Sequence, residues 1–431
     1  MNAQNKAVWI VDGRRTPFIK ARNTPGPFHA ADLALYAARS LFQTLPITPR
    51  DLDEVILGCV MPGPDEANIG RLVALRLGCA ETISAWTVQR NCASGLQALH
   101  CAVQSIQLGT SELVLAGGTE CMSHAPILFT EQMAAWLGKW STAKGWGPKL
   151  QTLQRFRPAL LTPVIGLLRG LTDPLVGLSM GQTAEILADK FHLNRQMLDT
   201  YAARSHQRLA QAQDEKCLEE IEPIYDAKGN VYSDDDGLRR DSDTEKLGKL
   251  RPVFDRGYGI VTAGNSAQVT DGAACLLLAS SEAVEKYHLP VLGKFVDAHW
   301  AGLSPSEMGL GPVHAMTPIL QRNALGIADV DYWEINEAFA AQVLACVEAW
   351  KNAAYCKEHW NLDAPVGEIP ADRLNIHGGG VCIGHPVGAS GARIVLHLLN
   401  TLKQKQAKRG MASLCIGGGQ GGAMLVESAQ Q

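Results

Sequence analysis

Several things are scarce in this chain of 431 residues, and each scarcity removes a class of protein. No apolar run approaches the roughly 20 residues that cross a bilayer, so no membrane-spanning helix is expected. Ahead of Asp12 the only apolar stretch is Ala7-Val8-Trp9-Ile10-Val11, too short for the core of a secretory signal. The last residues, Ser428-Ala429-Gln430-Gln431, carry no retention or peroxisomal address, and a cytoplasmic location is the expectation. Eleven cysteines are present, but no C-x-x-C pair exists, and the closest two, Cys92 and Cys101, are nine apart. Zinc and dithiol chemistry are therefore not expected, no metal ligands are assigned, and most thiols read as small apolar core residues. A net charge of −4 argues against a nucleic-acid binder. One absence is local: Gln132 to Thr172 contains no Asp or Glu, while Lys139, Lys144, Lys149, Arg155, Arg157 and Arg169 are basic and Trp136, Trp140 and Trp146 are interleaved with them. Such a surface suits a membrane interface, an acidic partner or a polyanionic ligand; the plainer reading is a packed loop domain whose charges are solvated.

What is present is a large apolar fraction, 46%, enough for two or three domains. Short buried-strand patterns at Val8 to Val11, Val55 to Leu57, Trp86 to Val88 and Leu113 to Ala116 alternate with helical ones, which indicates an α/β architecture. A motif then occurs twice. Asn91-Cys92-Ala93-Ser94-Gly95 opens a helix marked by Leu96, Leu99, Val103 and Ile106 and leads to a strand ending Ala116-Gly117-Gly118; Gly388-Ala389-Ser390-Gly391 leads likewise to Ile416-Gly417-Gly418. The repetition predicts two similar halves facing each other. Residues 1–120 plus 252–281 are expected to form the first half, 282–431 the second, and 121–251 a loop domain over the active face. Trp350 to Pro370 reads as an inserted surface element.

The reactive side chains fall on these turns. Cys92 precedes a helix, and a helix N-terminus with a neighbouring His is expected to lower a thiol pKa from its usual ~8.5. His385 is held in Gly384-His385-Pro386, where the flanking residues restrict the imidazole, a placement suited to acid/base work. Cys415 ends the second strand, before a glycine run whose amides are placed to form an oxyanion hole. That run contains G-x-G-x-x-G at Gly417, Gly419 and Gly422, but a strand follows instead of a helix, so it is not a dinucleotide loop. Asn336 reads either as a helix N-cap or as a polar anchor for water or a substrate carbonyl.

Together, Asn91-Cys92-Ala93-Ser94-Gly95, Asn336-Glu337-Ala338-Phe339, Gly384-His385-Pro386 and Cys415-Ile416-Gly417-Gly418-Gly419 resemble the thiolase family. Glu120-Cys121-Met122-Ser123, Met180-Gly181-Gln182-Thr183-Ala184-Glu185 and Thr262-Ala263-Gly264-Asn265 match it in order and spacing, so the resemblance covers nearly the whole chain. It implies two α/β halves packed as five layers (αβαβα), dimers or tetramers, and ping-pong chemistry on coenzyme A (CoA) thioesters with CoA as substrate and no resident cofactor. It also implies roles. Cys92 is the nucleophile, His385 its base and Cys415 the acid and base at the second stage. Asn336 holds a water at the enolate oxygen, and the amides of Cys92 and Gly417 hold the oxyanion. Met180, Ser266 and Phe339 are implied as substrate-binding residues. The long basic excursion resembles the β-subunits of fatty-acid oxidation complexes, which implies a hydratase/dehydrogenase partner and peripheral membrane contact through residues 132–172. Ala267 departs from the family, which often has Ser there against the pantetheine; Ser266 is the candidate substitute. The rival readings are a biosynthetic acetoacetyl-CoA thiolase, a ketoacyl synthase, which Cys415 in place of a second His disfavours, and a non-catalytic acyl-CoA-binding scaffold.

Overall fold

The computed structural model describes residues 6–22 and 24–429. Nine main strands are used below: β1 (Val8–Arg15), β2 (Glu54–Gly58), β3 (Ser84–Val88), β4 (Leu113–Cys121), β5 (Thr270–Ser280), β6 (Gly293–Gly302), β7 (Tyr332–Ile335), β8 (Arg409–Ile416) and β9 (Gln420–Ser428). Their order is β7-β8-β9-β6-β1-β5-β4-β2-β3. From the β1/β6 junction outward the two sides repeat, β5-β4-β2 on one and β9-β8-β7 on the other, with the last pair parallel in both. Only β3 lacks a counterpart. The junction itself is brief, Trp9 opposite Lys294 and Ile10 opposite Gly293, so the two half-sheets meet along a short seam.

Alternation of side chains builds the layers. On β4, Leu113 and Leu115 enter an outer core while Val114 and Ala116 enter a central one; on β8, Met411 and Cys415 point outward while Ala412 and Leu414 point inward. The central core is filled by helices α3 (Ser94–Leu108) and, far along the chain, α11 (Val387–Gln404), the helices of the repeated motif. The outer faces carry α1 (Ala30–Thr44) and α2 (Ile69–Leu77) on the first half, and α8 (Gly311–Arg322) and α9 (Ala340–Lys351) on the second. The result is an α/β fold of five layers in the order αβαβα. Glycine lets the inner helices meet: a Cβ on Gly391 would lie 2.5 Å from Leu96 N, and one on Gly118 2.0 Å from Gly388 O. The two glycine pairs that end the repeat therefore serve different ends. Gly117-Gly118 lie within β4 beneath α11, whereas Gly417 to Gly419 form the turn between β8 and β9.

Between the halves the excursion contains α4 (Glu131–Thr142), α5 (Trp146–Gln154), α6 (Met180–Lys190) and α7 (Arg195–Asp214). In the acidic turn Ser233-Asp234-Asp235-Asp236-Gly237 of the excursion, Asp235 is buried and accepts from both terminal guanidinium nitrogens of Arg15, at 2.7 and 2.8 Å, which fastens the excursion to β1. Two segments make contacts that their place in the sequence does not announce. Residues 252–269, assigned to the first half, pack on the second: Val261 lies in its core, Ser266 bridges to Phe339, and Ala340 N donates to Asn265 O at 2.9 Å. At its end the segment returns to the first half, where Val269 O accepts from Ala21 N at 2.9 Å ahead of β5. The element from Trp350 to Pro370 forms α10 (Ala353–Trp360) and is anchored rather than superficial, because Trp350, Tyr355 and Cys356 are buried and the Trp350 indole donates to Thr317 Oγ1 at 2.8 Å.

Candidate active site

The turn that carries Cys92 is set by its neighbours. Asn91 adopts φ +44°, a left-handed conformation that Asn tolerates better than most residues. Its Nδ2 donates to Gly417 O at 2.8 Å, joining the Cys92 turn to the β8–β9 turn. Ser94 Oγ accepts from Arg90 N at 2.9 Å and donates to Asn91 O at 2.7 Å, closing the loop one residue before α3. Cys92 is thereby half-buried, with the N–H groups of Gly417 and of Cys92 itself directed at its sulfur.

Burial pushes the Cys92 thiol up, and those two amides only partly oppose it. The expected lowering is not found, since His385 supplies no positive charge: burial first, and the Arg393 guanidinium second, depress its pKa to about 4. The resting pair is a neutral thiol and a neutral imidazole. His385 Nδ1 lies 2.6 Å from Ser390 Oγ, which donates its own proton to Pro386 O at 3.0 Å. Nδ1 is then the protonated nitrogen and Nε2 carries the lone pair a general base needs.

Cys415 ends β8 and is buried; burial raises its thiol well above the usual range, and nearby Cys92 and Cys346 add to the shift. Asn336 follows β7, the strand beside β8, and its N–H donates to Ser413 O at 2.9 Å. It is not an N-cap, because α9 begins at Ala340 with Phe339 in the cap position. Its Nδ2 makes loose contacts of 3.4 and 3.5 Å with the ring nitrogens of His385, and its buried Oδ1 has no hydrogen-bond partner among the described residues. The ends of β7 and β8 and the starts of α3 and α11 thus bring Asn336, Cys415, Gly417, Cys92 and His385 together from distant parts of the chain.

Cys92 and Gly417 line a chamber of about 330 Å3 whose other walls include Val60, Met122, Leu167 and Met180. Met122 and Leu167 also line a cleft of about 910 Å3, along with Phe254, Ser266 and the cations Lys20 and Arg239.

Comparison with known proteins matches this arrangement along the full chain. Residues 8–282 fit the model of the thiolase N-terminal domain and residues 289–428 that of the thiolase C-terminal domain. The chain belongs to the thiolase family.

A β-ketoadipyl-CoA thiolase of Pseudomonas aeruginosa is 37% identical, covering 98% of this chain and 99% of its own. A 3-ketoacyl-CoA thiolase of Yersinia enterocolitica is 33% identical, covering 98% of this chain and 97% of its own. The structure of human mitochondrial 3-ketoacyl-CoA thiolase in complex with CoA superposes with a TM-score of 0.84 at 34% identity, covering 98% of both chains.

The remaining candidates of this thiolase fall in different places. Met180 opens α6 and borders the chamber, its Sδ 3.4 Å from where a Cβ on Gly417 would stand. Ser266 borders the large cleft, but its hydroxyl proton is committed to Thr262 O at 2.7 Å, so it cannot supply the donor that Ala267 lacks. Phe339 lies outside both cavities' walls, behind Phe254, with ring centroids 5.8 Å apart. Three residues carry more than their motifs suggested. Ser390 fixes the His385 tautomer, and Glu337 accepts from Tyr201, Ser205 and Asn375 at 2.7 to 3.1 Å, tying α7 to the site. Glu120 accepts from the N–H groups of Val60, Met61 and Gly388, each at 3.0 Å, so one carboxyl holds the chamber wall and the second-half turn. A lone acid inside the apolar strand Leu113 to Cys121 was the signal for it.

Among the described residues no group of His, Cys, Asp or Glu could hold a metal ion, and no helix is long and apolar enough to cross a membrane.

Proposed function

We propose that this thiolase catalyses CoA-dependent cleavage of 3-ketoacyl-CoA through an acyl-enzyme on Cys92. The observation that carries the reading is the Cys92 sulfur facing the amides of Cys92 and Gly417 with the Cys415 thiol beside it. His385 Nε2 takes the Cys92 proton, and the thiolate adds to the 3-keto carbon. The oxyanion forms against the two amides, a preorganised site for developing charge. Breaking the C2–C3 bond leaves acyl-Cys92 and the enolate of acetyl-CoA, which takes its proton from Cys415; a water on the unpaired Asn336 Oδ1 fits the enolate oxygen. Cys415 thiolate then deprotonates CoA, whose sulfur displaces Cys92, and the Cys92 sulfur recovers its proton from His385. The products are acetyl-CoA and an acyl-CoA two carbons shorter, and the reverse sequence is a Claisen condensation.

The chamber walls favour a neutral acyl chain. Among the described residues Asp173 is the only charged one in them, and its Oδ1 is occupied by the N–H groups of Leu175 and Val176 at 2.8 and 3.1 Å. A second carboxylate, as in a β-ketoadipyl group, would meet no cation there. The large cleft, apolar along Phe254 and Leu250 with Lys20 and Arg239 at hand, fits pantetheine followed by phosphates. CoA enters as substrate, and no resident cofactor is proposed. Degradation of fatty acyl chains in the cytoplasm is the setting that fits, within a homodimer or tetramer paired with a hydratase/dehydrogenase subunit. Support for self-association comes from β3, an unpaired sheet edge with half-exposed Trp86 and Val88.

The test is CoA-dependent cleavage of 3-ketoacyl-CoAs from four to sixteen carbons by the wild type, Cys92→Ala and Cys415→Ala. Cleavage lost in both variants supports the reading; wild-type inactivity at every length points to the non-catalytic scaffold.

A further inference from the structure

The chamber beside Cys92 contains one carboxylate and nothing to balance it. Leu167, Leu171, Leu175 and Met180 give it apolar walls, and among the described residues no Lys or Arg lines it. Asp173 lines it too, and is only 4% exposed.

Asp173 organises the turn from Leu171 to Met180 that forms this wall. Its N–H donates to Leu178 O at 2.8 Å, its O accepts from Gly177 N at 2.9 Å, and Met180 N donates to Leu171 O at 2.9 Å. The side chain adds two bonds, from Leu175 N at 2.8 Å and Val176 N at 3.1 Å, and both fall on Oδ1. Oδ2 has no hydrogen-bond or ion-pair partner among the described residues. The turn therefore uses one oxygen and has no need of the charge, because the carbonyl oxygen of an Asn in the same place has the two lone pairs that these N–H groups require. A nearly buried carboxylate oxygen left without a partner is costly to take out of water, so the contents of the adjoining cavity decide what it meets.

We infer that Asp173 is a specificity-determining residue, whose charge turns away 3-ketoacyl-CoA substrates with a carboxylate at the far end of the acyl chain. The inference rests on the proposed thiolysis, with the acyl group of Cys92 lying in this chamber, and deepens it by naming the acyl class as one without an anionic end. Once a chain has displaced water from an apolar cavity, like charges repel far more than in bulk water and salt screens them little. The apolar walls alone would tolerate the methylenes of a dicarboxylic chain. Discrimination against it comes from an unpaired like charge, an element that acts on the competitor and leaves the neutral chain alone.

The test compares cleavage of β-ketoadipyl-CoA with that of 3-ketohexanoyl-CoA, equal in chain length and different in terminal charge, as a ratio of kcat/KM. Asp173→Asn keeps the acceptor for the turn and removes the charge. It is expected to move the ratio toward β-ketoadipyl-CoA by roughly thirtyfold, with cleavage of 3-ketohexanoyl-CoA little changed. Asp173→Glu keeps the charge and displaces the oxygen from the turn, so both substrates slow together and the ratio stays near the wild-type value. Binding of β-ketoadipyl-CoA to Cys92→Ala and to Cys92→Ala/Asp173→Asn, followed by calorimetry, repeats the comparison without turnover, and the double variant is expected to bind more tightly. An unchanged ratio in Asp173→Asn together with equal binding by those two variants overturns the inference and leaves thiolysis standing; a role confined to the turn gives that result. Inactivity of the wild type on neutral chains of every length from four to sixteen carbons overturns the thiolysis reading, and the inference with it.

Discussion

His385 Nδ1 lies 2.6 Å from Ser390 Oγ, and the Ser390 proton is given to Pro386 O, so one hydroxyl selects the tautomer that leaves Nε2 basic. Ser390→Ala removes that selection without touching Cys92. It is expected to lower kcat by roughly ten- to a hundredfold, with KM nearly unchanged, and Ser390→Thr to restore part of the loss. A variant with wild-type kcat and pH profile would reduce Ser390 to a packing residue.

Asn91 joins the Cys92 turn to the Gly417 turn, through its 2.8 Å bond to Gly417 O and its φ of +44°. Asn91→Ala loses the bond and places a less tolerant residue in left-handed backbone. Acylation, followed as single-turnover release of acetyl-CoA, is expected to slow by about tenfold or more, while the urea midpoint falls modestly.

Glu120 is buried with three N–H donors on it, and burial raises its pKa to about 7. Glu120→Gln turns an amide NH2 toward those donors. It is expected to destabilise the fold by about 2–3 kcal/mol, measured as a lowered urea midpoint at constant slope.

The buried histidines make stability depend on pH. Burial is the first cause in each case, holding His206 and His385 to about 4 and His377 to about 3. The unfolded chain takes up protons on these groups below about 6.5, while the folded chain does so only near their depressed values. Stability is therefore full above 6.5 and is lost as pH falls toward 4. Urea unfolding at pH 7 and pH 5 should show a loss of several kcal/mol; a flat profile would mean that these rings are charged in the native state. Acylation is expected to stay constant from pH 8 to 6, because His385 remains neutral across that range.

The repeat was legible because each copy places Ala-Ser-Gly at a helix start, where two inner helices must approach through glycine, and because the apolar periods of 2 and 3.6 survive in both halves. Cys92, His385, Cys415 and Asn336 could be nominated from sequence since Gly, Pro and Asn mark turns where a side chain can be held apart from regular structure. The packing of residues 252–269 on Phe339 and Ala340 was not legible because those contacts are long-range and leave no local period. The absence of acids from Gln132 to Thr172 was visible as a string, but whether those side chains were buried was not.

What the sequence by itself determined is the two-half plan and which side chains are candidates for the chemistry, since both follow from residue identity and spacing. Tertiary structure alone decided protonation. Cys92 before a helix suggests a thiolate, yet enclosure between the Asn91 and Gly417 turns removes enough water to keep it a thiol, and the same burial keeps His385 neutral. Desolvation depends on everything that surrounds a group, and those surroundings come from parts of the chain hundreds of residues away.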